Sequence, residues 1–295
     1  MDTVTWRELL SEATERLRSS AEAEHGSAAS DARRIVEEAS GASAAELALV
    51  LGDPVTKGQM ARFDSMLERR RGGEPLQYVL GHWGFRGLDL MVDQRVLIPR
   101  PETETVVEVA LAELDRLGGR EVATTVVDLG TGSGAIALAV ATERVRTRVV
   151  ATDASEEAAA VARANLAGIG RAAARVEVHT GSWYEALPGE LRASIQLIVT
   201  NPPYVSLGAD LPPAVADWEP RRALLAGPDG LEDIRLILEG APEWLEADGA
   251  LVCEFSPEQV SAVAQLASEH FRDVHTETDL TGRARVLVAR GPVHP

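Results

Sequence analysis

The sequence predicts an α/β protein in which a small bundle of helices precedes a doubly wound parallel β-sheet. Apolar residues recur at helical spacing as far as Gly73, whereas from Val96 onward short β-branched runs alternate with helical segments. Strands that alternate with helices build a parallel sheet with helices on both faces. With 295 residues the chain exceeds one average domain, and we predict a helical domain over 1–74, a β-hairpin linker over 75–95 and a larger domain over 96–295.

The first part is predicted to hold four short helices joined by polar segments. Asp31 is a candidate N-cap for the second helix, and Ser43 with Glu46 has the Ser-x-x-Glu spacing of a capping box for the third. The run of arginines at 69–71 ends the fourth helix, where cations suit the negative pole of the helix dipole, so we interpret it as a solvated helix end. The predicted helices lie around residues 6–13, 31–41, 44–47 and 55–70.

Glycine and proline at 72–75 break the helical pattern. Two short runs at 77–81 and 88–92 flank a glycine-containing turn, which predicts the β-hairpin linker. Beyond it, apolar and β-branched runs bounded by turn residues predict the buried strands of the parallel sheet. These strands are predicted at 124–129, 148–152, 176–179, 195–200, 250–255 and 284–289.

The composition limits the classes of partner. A net charge of −17 argues against a protein that clamps a long nucleic-acid duplex, because such proteins present a basic stripe to the phosphates. No apolar run reaches the ~20 residues that a membrane-spanning helix needs, and residues 1–10, with Asp2 and Glu8, lack a signal-peptide pattern, so we expect a cytoplasmic protein. Cys253 is the only cysteine and no pair of histidines has metal-ligand spacing, so no metal is expected. The scattered histidines are His25, His82, His179, His270, His275 and His294.

A glycine-rich turn follows the first predicted strand of the sheet and opens a helix. Its glycines permit positive φ and let a ligand approach the backbone closely, while Asp153 ends the next strand, where a carboxylate can accept both ribose hydroxyls of an adenosine. Gly130, Gly132 and Ala135 also satisfy the dinucleotide pattern, and a tight turn without a ligand is a further alternative. Asp128 resembles the acidic residue that begins the first motif of class I methyltransferases. The cofactor of those enzymes has no pyrophosphate, so this resemblance favours a methyltransferase over a dinucleotide-binding protein. The residues predicted to bind the cofactor here are Asp128, Gly130, Thr131, Gly132, Gly134 and Asp153.

The tetrapeptide Asn201-Pro202-Pro203-Tyr204 directly follows the predicted strand at 195–200, and ligands bind at the carboxyl ends of strands in such sheets. The two prolines fix φ and carry no backbone donor, which leaves the Pro202 carbonyl free. That carbonyl and the side-chain oxygen of Asn201 are predicted to accept hydrogen bonds from one planar NH2 group, on which Tyr204 would stack. Such a clamp suits methyl transfer to an amide or exocyclic amine, because two acceptors orient the weakly nucleophilic nitrogen and stabilise its developing positive charge. An ordinary proline turn is the alternative.

Segments spread over nearly the whole chain resemble one family. They are 97–104, 128–134, 201–204, the parts 219–220, 223–224 and 227–231 of a further segment, and the set Asp279, Gly282 and Arg285. Together they resemble the release factor glutamine methyltransferase family, also called PrmC or HemK. The Asn-Pro-Pro-Tyr motif alone is shared with adenine-N6 DNA methyltransferases, whereas the Ile-Pro-Arg-Pro-Glu-Thr-Glu segment behind a helical leader is more specific.

This resemblance implies a class I S-adenosylmethionine-dependent methyltransferase with a Rossmann-like sheet, which methylates N5 of the glutamine in the Gly-Gly-Gln motif of class 1 peptide chain release factors. S-Adenosylmethionine is the implied cofactor and the release factor the implied partner, gripped by the helical domain, with no direct nucleic-acid or membrane contact expected. Arg100 is implied to lie near the substrate or cofactor, although it has the i,i+4 spacing to pair with Glu104 instead. The implied catalytic residues are Asn201, Pro202 and Tyr204, with Pro203 and Arg100 joining them to bind substrate, and with Asn201 and Trp183 contacting the cofactor.

Three positions depart from the family's pattern. Ser182 stands where an acidic residue is common, which leaves the adenine contact to Trp183, for which packing in the core is the alternative. Gln196 stands where the fourth strand often carries Asp, and the segment 254–257 replaces a Glu-x-Gly sequence. None of these departures touches Asp128, Asp153 or Asn201.

Four other functions remain open at this point. A ribosomal-protein glutamine methyltransferase would share every catalytic motif and differ only in the N-terminal domain. A DNA adenine methyltransferase is disfavoured by the acidic charge, and a non-catalytic module that keeps the cofactor fold is disfavoured by the intact motif at 201–204. An NAD oxidoreductase would account for the glycines but not for that motif.

Overall fold

The computed structural model describes residues 4–19 and 28–293. Asp2, His25 and His294, which entered the predictions above, lie outside the described residues. Within those two described ranges no helix is both long and apolar enough to cross a membrane, and no three His, Cys, Asp or Glu side chains group as metal ligands would.

The chain divides into two compact units. The division falls after His82, so the linker predicted at 75–95 is shared between the two units. A short segment from the second half of the chain joins the helical unit. The first unit comprises Met1–His82 and Leu211–Trp218, and the second comprises Trp83–Asp210 and Glu219–Pro295.

The first unit is a bundle of helices whose apolar faces form one core, including Trp6, Ile35 and Phe63. The first helix opens with a capping box, in which the Thr5 hydroxyl accepts from the Glu8 amide and the Glu8 carboxylate accepts from the Thr5 amide at 2.8 Å. The helices are α1 (Trp6–Arg18), α2 (Ala28–Ser40), α3 (Leu47–Val50), α4 (Lys57–Arg71) and α5 (Leu76–Leu80), and Pro213–Ala216 adds a further helical turn.

Two predicted helix starts in this unit were wrong. α2 begins at Ala28, so Asp31 lies inside its first turn and not at the N-cap; its buried carboxylate accepts from Arg70 Nε at 2.8 Å. The ion pair with Arg70 of α4, which is distant in sequence, therefore determines the position of the Asp31 carboxylate. Glu46 does accept from the Ser43 amide and hydroxyl, at 3.0 and 2.7 Å, but these bonds close a turn, and α3 begins only at Leu47.

The arginines at 69–71 lie in the last turn of α4. Each of them forms an ion pair with a nearby carboxylate, and the side chain of Arg70 is only 17% exposed. Their charge is therefore balanced within the helical unit, which supports the interpretation of this run as a helix end. The pairs are Arg69 with Glu74, Arg70 with Asp31, and Arg71 with Glu68.

The predicted β-hairpin is present, but its first strand is displaced. α5 occupies the place of that strand, and Gly81 ends α5 with a φ of 83°. The strands that pair are β1 (His82–Phe85) and β2 (Leu88–Met91). The prediction was wrong because the Pro75 carbonyl accepts from the amide of Val79 at 3.1 Å and so opens a helical turn, which outweighs the β propensity of the residues that follow.

The second unit is built on a seven-stranded sheet. Its strands are β3 (Thr124–Leu129), β4 (Thr147–Asp153), β5 (Val176–Thr180), β6 (Ile195–Thr200), β7 (Leu245–Glu254), β8 (Phe271–Thr278) and β9 (Ala284–Pro292). The strand order is β5-β4-β3-β6-β7-β9-β8. β3 to β7 pair in parallel, and β3 and β6 have the predicted bounds.

The carboxyl-terminal edge of the sheet departs from the prediction. β8 was missed, because it is an edge strand with mostly polar, partly exposed side chains. β9 is antiparallel to both β7 and β8, whereas a wholly parallel sheet was predicted. The turn at 279–283 joins β8 directly to β9, and so short a connection permits only antiparallel pairing. β7 ends at Glu254, so Phe255 lies just outside it.

Alternate side chains of the central strands point into two separate cores. Val126 packs in the core that contains α6 (Pro101–Arg116) and α7 (Ala135–Glu143). Val127, the next residue, packs in the core on the other face with two later helices. Burial on both faces explains why these strands are continuously apolar. The other helices of this unit are α8 (Glu156–Gly168), α9 (Glu232–Trp244) and α10 (Val260–Ser268).

The register of the three middle strands brings their carboxyl ends to one level. Leu129 at the end of β3 lies opposite Thr152 of β4 on one side and Thr200 of β6 on the other. The glycine-rich loop, Asp153 and Asn201 each follow one of these strand ends, so the three meet at the same edge of the sheet.

Candidate functional site

A cavity of about 360 Å³ lies at this edge of the sheet, entirely within the second unit. Backbone and side chains of residues 130–133 form one wall, and Asp153, Trp183 and Asn201 form others. Arg100 and Pro203 also contribute. Four of the predicted site residues lie outside the wall, namely Asp128, Gly134, Pro202 and Tyr204.

The glycine-rich loop between β3 and α7 has a backbone conformation that side chains disfavour. Gly130, Gly132 and Gly134 have φ values of 71°, 56° and 86°, all in the left-handed region. At Gly130 there is also little room, because an added Cβ would come within 3.2 Å of the Trp183 ring. The glycines therefore allow the loop to pass between the strand ends and the indole.

Asp128 lies beneath this loop and is fully buried. Its Oδ2 accepts from the Thr131 hydroxyl at 2.6 Å and from the Ala137 amide at 3.1 Å, so it joins the loop to the start of α7. Its Oδ1 is buried without a hydrogen-bond partner among the described residues. Burial raises the pKa of this carboxyl to about 7, so ionising Asp128 in the folded protein is costly.

Asp153 stands at the end of β4 with both carboxylate oxygens in use. Oδ2 accepts from the Gly132 amide at 2.9 Å, and Oδ1 accepts from the Ser155 amide at 2.8 Å. Burial raises the pKa of Asp153, while the two backbone donors and the Arg222 guanidinium oppose that shift. Each oxygen has capacity for a further hydrogen bond, and Asp153 lines the cavity, which suits a ligand with two adjacent hydroxyls.

Trp183 has a φ of 40°, unusual for a bulky residue. Its indole lies against Gly130 and donates its N–H to Asp233, a half-buried carboxylate of α9 whose pKa burial raises. The ring packs on the core of that face and at the same time forms part of the cavity wall. Ser182 also lies on the wall, so a flat ring and a hydroxyl occupy the place where an acidic residue is common in the family.

Asn201 presents its side chain to the cavity in one defined orientation. Its Nδ2 donates to the hydroxyl of Thr103 in α6 at 3.1 Å, which leaves the Oδ1 acceptor without a donor among the described residues. The carbonyl of Pro202 accepts no hydrogen bond from the described residues either, although Pro202 itself is buried. Tyr204 directs its hydroxyl to Glu254 Oε1 at 3.2 Å, and burial raises the pKa of Tyr204.

Arg100 lines the cavity but does not pair with Glu104. Its guanidinium donates to the buried carboxylate of Glu219, which also accepts from the Ile98 amide at 3.2 Å. Glu104 accepts instead from the Arg86 amide at 3.1 Å. The alternative of a local i,i+4 pair was therefore wrong, because a buried partner far along the chain holds Arg100.

Among the residues of the cavity wall that sequence reasoning missed are three polar side chains, Thr103, Arg222 and Asp233. Thr103 lies in the segment 97–104, and Arg222 lies between the parts 219–220 and 223–224 that resemble the family, but neither had an assigned role. Asp233 carries no signal of its own in the sequence. Gln196, a departure from the family pattern, accepts from the Thr125 amide at 2.7 Å within the sheet and does not line the cavity.

Two family models match separate parts of the chain. The PrmC N-terminal domain matches residues 8–81, and the methyltransferase small domain matches residues 109–216.

Curated relatives match most of the chain. The release factor glutamine methyltransferase of Xylella fastidiosa is 42% identical over 241 residues, covering 81% of this chain and 84% of its own. The protein of the same name from Cereibacter sphaeroides is 40% identical over 268 residues, covering 90% and 92%. That from Bordetella pertussis is 42% identical over 258 residues, covering 87% and 92%.

Solved structures share the fold at low sequence identity. The hMettl16 catalytic domain superposes with a TM-score of 0.53 at 14% identity, covering 80% of this chain and 84% of its own. A T. thermophilus 16S rRNA methyltransferase, solved with AdoMet and guanosine, gives 0.50 at 20% identity, covering 71% and 49%. With the methyltransferase domain match, these likenesses confirm the predicted class I methyltransferase fold.

We expect Asp128→Asn to change how the free energy of unfolding depends on pH. Burial raises the pKa of Asp128 to about 7 in the folded protein, so its ionisation opposes folding. In the wild type this cost is absent below about pH 4 and grows as the pH rises toward about 7. An asparagine does not ionise, so the variant should gain stability relative to the wild type over this interval, by up to about 4 kcal/mol, as measured by urea unfolding at each pH.

Asp229→Asn is the matched control. Hydrogen bonding to Arg235 lowers the pKa of Asp229, so its ionised form favours folding, and this variant should lose stability relative to the wild type as the pH rises. A stability difference between Asp128→Asn and the wild type that stays constant over the same pH interval would contradict the buried, costly carboxylate.

Proposed function

We propose that this chain, which belongs to the release factor glutamine methyltransferase family, transfers the methyl group of S-adenosylmethionine to N5 of a glutamine. The glutamine is that of the Gly-Gly-Gln motif in class 1 peptide chain release factors, as the names of the relatives indicate. The observation that carries the proposal is the orientation of Asn201 on the cavity wall, whose NH2 group is bonded to Thr103 while its amide oxygen accepts no hydrogen bond from the described residues.

The residues present fit S-adenosylmethionine. The Asp153 carboxylate suits a ribose with two hydroxyls, the left-handed glycines bring backbone to the cavity wall, and the unpartnered Oδ1 of Asp128 lies buried beneath the same loop. Trp183 offers a flat apolar surface to the adenine. The cofactor supplies a methyl group on a sulfonium, already activated for transfer, so no nucleophilic side chain is required.

The reacting nitrogen is a poor nucleophile because its lone pair is delocalised into the carbonyl. Asn201 Oδ1 and the Pro202 carbonyl would accept its two hydrogens, which fixes the plane of the amide and stabilises the positive charge that develops on nitrogen. Neither acceptor must break a bond within the protein first, since neither receives one from the described residues. The clamp would thereby hold the nitrogen in line with the methyl group.

Arg100 is proposed to contact the substrate or the methionine end of the cofactor. The buried Glu219 holds its guanidinium at the cavity wall, so its position is set before a ligand arrives. The helical unit, which the PrmC N-terminal domain model matches, is proposed to grip the body of the release factor. A net charge of −17 suits a protein substrate better than a nucleic acid, and we propose that the enzyme acts in the cytoplasm, where release factors work.

The direct test is mass spectrometry of a purified class 1 release factor after incubation with this protein and S-adenosylmethionine. We expect the Gly-Gly-Gln peptide to gain the mass of one methyl substitution, localised to the glutamine. No gain there, with cofactor binding intact by calorimetry, would contradict this substrate and direct the same assay to ribosomal proteins and then to DNA.

Asn201→Ala should remove most turnover while sparing cofactor affinity. The amide loses one of its two acceptors, and the loss of one such transition-state hydrogen bond costs about 10²–10³-fold in kcat. The matched control is Gln196→Ala, which removes an amide from the same strand region outside the cavity and should stay near the wild-type rate. Full activity of Asn201→Ala would exclude this residue from the clamp.

Asp153→Ala should weaken S-adenosylmethionine binding by about 10–100-fold, because the ribose hydroxyls would lose a buried acceptor. Calorimetric titration of the cofactor measures this directly. Glu156→Ala serves as the control, since Glu156 is a nearby exposed carboxylate whose partners are Arg163 and Thr180. Unchanged affinity in Asp153→Ala would remove Asp153 from the site.

A further inference from the structure

Three features without a role in the reaction meet behind Asn201. They are Thr103 from the segment 97–104, Glu254 at the end of β7, and Arg285 from the set that resembles the family's closing motif. Glu254 and Thr103 are both buried, with relative exposures of 1% and 4%. Burying an ionised carboxylate costs free energy unless hydrogen bonds compensate for it. The groups that donate hydrogen bonds to Glu254 are therefore the ones whose positions it fixes.

The carboxylate of Glu254 holds two members of the clamp at once. Its Oε2 accepts from the Thr103 hydroxyl at 2.8 Å, and Thr103 in turn accepts from Asn201 Nδ2 at 3.1 Å. Its Oε1 accepts from the Tyr204 hydroxyl at 3.2 Å. One group on β7 is thus joined to the first residue of the tetrapeptide through a hydroxyl and to the last residue directly.

The directions of these bonds are determined by chemistry. Thr103 has one hydrogen and gives it to Glu254, so toward Asn201 it can only accept. With Glu254 ionised, Asn201 must therefore turn its NH2 group to Thr103, which leaves its oxygen as the free acceptor. If Glu254 were protonated, it could donate to Thr103; the threonine could then donate to Asn201, and the opposite orientation of that amide would become possible.

The charge state of Glu254 is sensitive to its surroundings. Burial raises its pKa to about 7, while the donors Thr103 and Tyr204 and the positive charge of Arg285 oppose that shift. Arg285 is itself held near Asp279, with Nε and Oδ2 3.6 Å apart. The charged or titratable groups that face Glu254 are Arg285 of β9, Glu102 of α6, Tyr204 after β6 and Cys253 on its own strand.

We propose that Glu254 is a positioning residue that sets the orientation of the clamp, through Thr103 on Asn201 and directly on Tyr204, and that its protonation releases Asn201. The consequence for glutamine methylation rests on the proposed function, whereas the orientation of Asn201 does not. The ionised carboxylate fixes Asn201 as an acceptor. The neutral carboxyl allows the same side chain to present a donor, which would repel the NH2 group of the substrate.

NMR can observe the orientation of the Asn201 side chain directly, because the sequence contains few asparagines. Asn165 and Asn201 are its only asparagines, so selective ¹⁵N-asparagine labelling gives two side-chain NH2 groups in an NMR spectrum. Asn165 is the internal reference: its Nδ2 donates to the carbonyls of Met91 and Ser133 at 3.0 and 2.8 Å. We expect one Asn201 amide hydrogen to be protected from exchange with water and the other, which has no described acceptor, to exchange faster.

Thr103→Val and Thr103→Ser form the matched pair of variants. Valine keeps the shape but removes the hydroxyl, and should lower the protection of the Asn201 hydrogen about tenfold; serine keeps the hydroxyl and should preserve it. The Asn165 signals should be the same in all three proteins, which shows that the fold is intact. Unchanged protection of Asn201 in Thr103→Val would overturn the proposal, and so would its loss in Thr103→Ser with Asn165 unaffected.

The pH dependence tests the role of Glu254 itself. In the wild type the Asn201 signals should shift in a single titration near pH 7, set by the pKa of Glu254, and in Glu254→Gln they should not. Absence of that titration in the wild type, or its persistence in Glu254→Gln, would overturn the release by protonation. These measurements need no protein substrate, so they stand even if the release factor is not methylated.

Measurements of kcat test whether the orientation of the Asn201 amide affects methyl transfer. With the release factor as substrate, Thr103→Val should lower kcat about tenfold or more with little change in the calorimetric affinity for S-adenosylmethionine, while Thr103→Ser remains near the wild type. Wild-type kcat should fall as the pH drops below about 7, where Glu254 takes up its proton. A Thr103→Val enzyme with wild-type kcat would contradict the positioning role.

Discussion

Leu129, the last residue of β3, lies between Thr152 of β4 and Thr200 of β6 in the parallel register, and the Thr200 hydroxyl donates to the Leu129 carbonyl at 2.7 Å. This shared level of three strand ends is the constraint from which the site follows. A shift of one residue in either pairing would turn every side chain of that strand to the opposite face. Both apolar cores would then have to pack around different side chains, and close-packed cores tolerate such changes poorly. Packing on both faces of the sheet therefore fixes where the glycine-rich loop, Asp153 and Asn201 meet.

Two fully buried carboxylates lie just behind this meeting point. Asp128 stands behind the glycine-rich loop and Glu254 behind the clamp, and burial raises the pKa of each to about 7. Neither lines the cavity. Each holds a hydroxyl, Thr131 in one case and Thr103 in the other, which is itself on the cavity wall. The protein thus accepts a local cost in stability in order to order the two surfaces that meet the ligands.

The central part of this arrangement was predictable because its signals are local. β-Branched runs buried on both faces gave β3 and β6 with the observed bounds, and the motifs that follow them in sequence lie at their carboxyl ends. What was missed depends on contacts between distant residues. Thr103 and Glu254 are 151 positions apart and Ile98 and Glu219 are 121 positions apart, and no periodicity or spacing in a single sequence reports such pairs. β8 was missed for a different reason: a polar edge strand does not need the apolar pattern by which strands are recognised.

An asparagine side chain is an ambiguous choice for a clamp, because it carries a donor and an acceptor on one planar group and can turn either to the substrate. Backbone carbonyls such as that of Pro202 have no such ambiguity.

A protein that holds an amide nitrogen by its hydrogens must remove the ambiguity before the substrate enters. If the NH2 group of Asn201 pointed to the substrate, it would meet the NH2 group of the substrate amide, and two donors cannot form a hydrogen bond with each other. A neutral partner such as a free hydroxyl cannot do so alone, because a hydroxyl also donates and accepts. A hydroxyl whose single hydrogen is committed to an ionised carboxylate can, and Thr103 is such a group when Glu254 is ionised. The buried charge, costly in itself, is what makes the direction of the Asn201 amide unique.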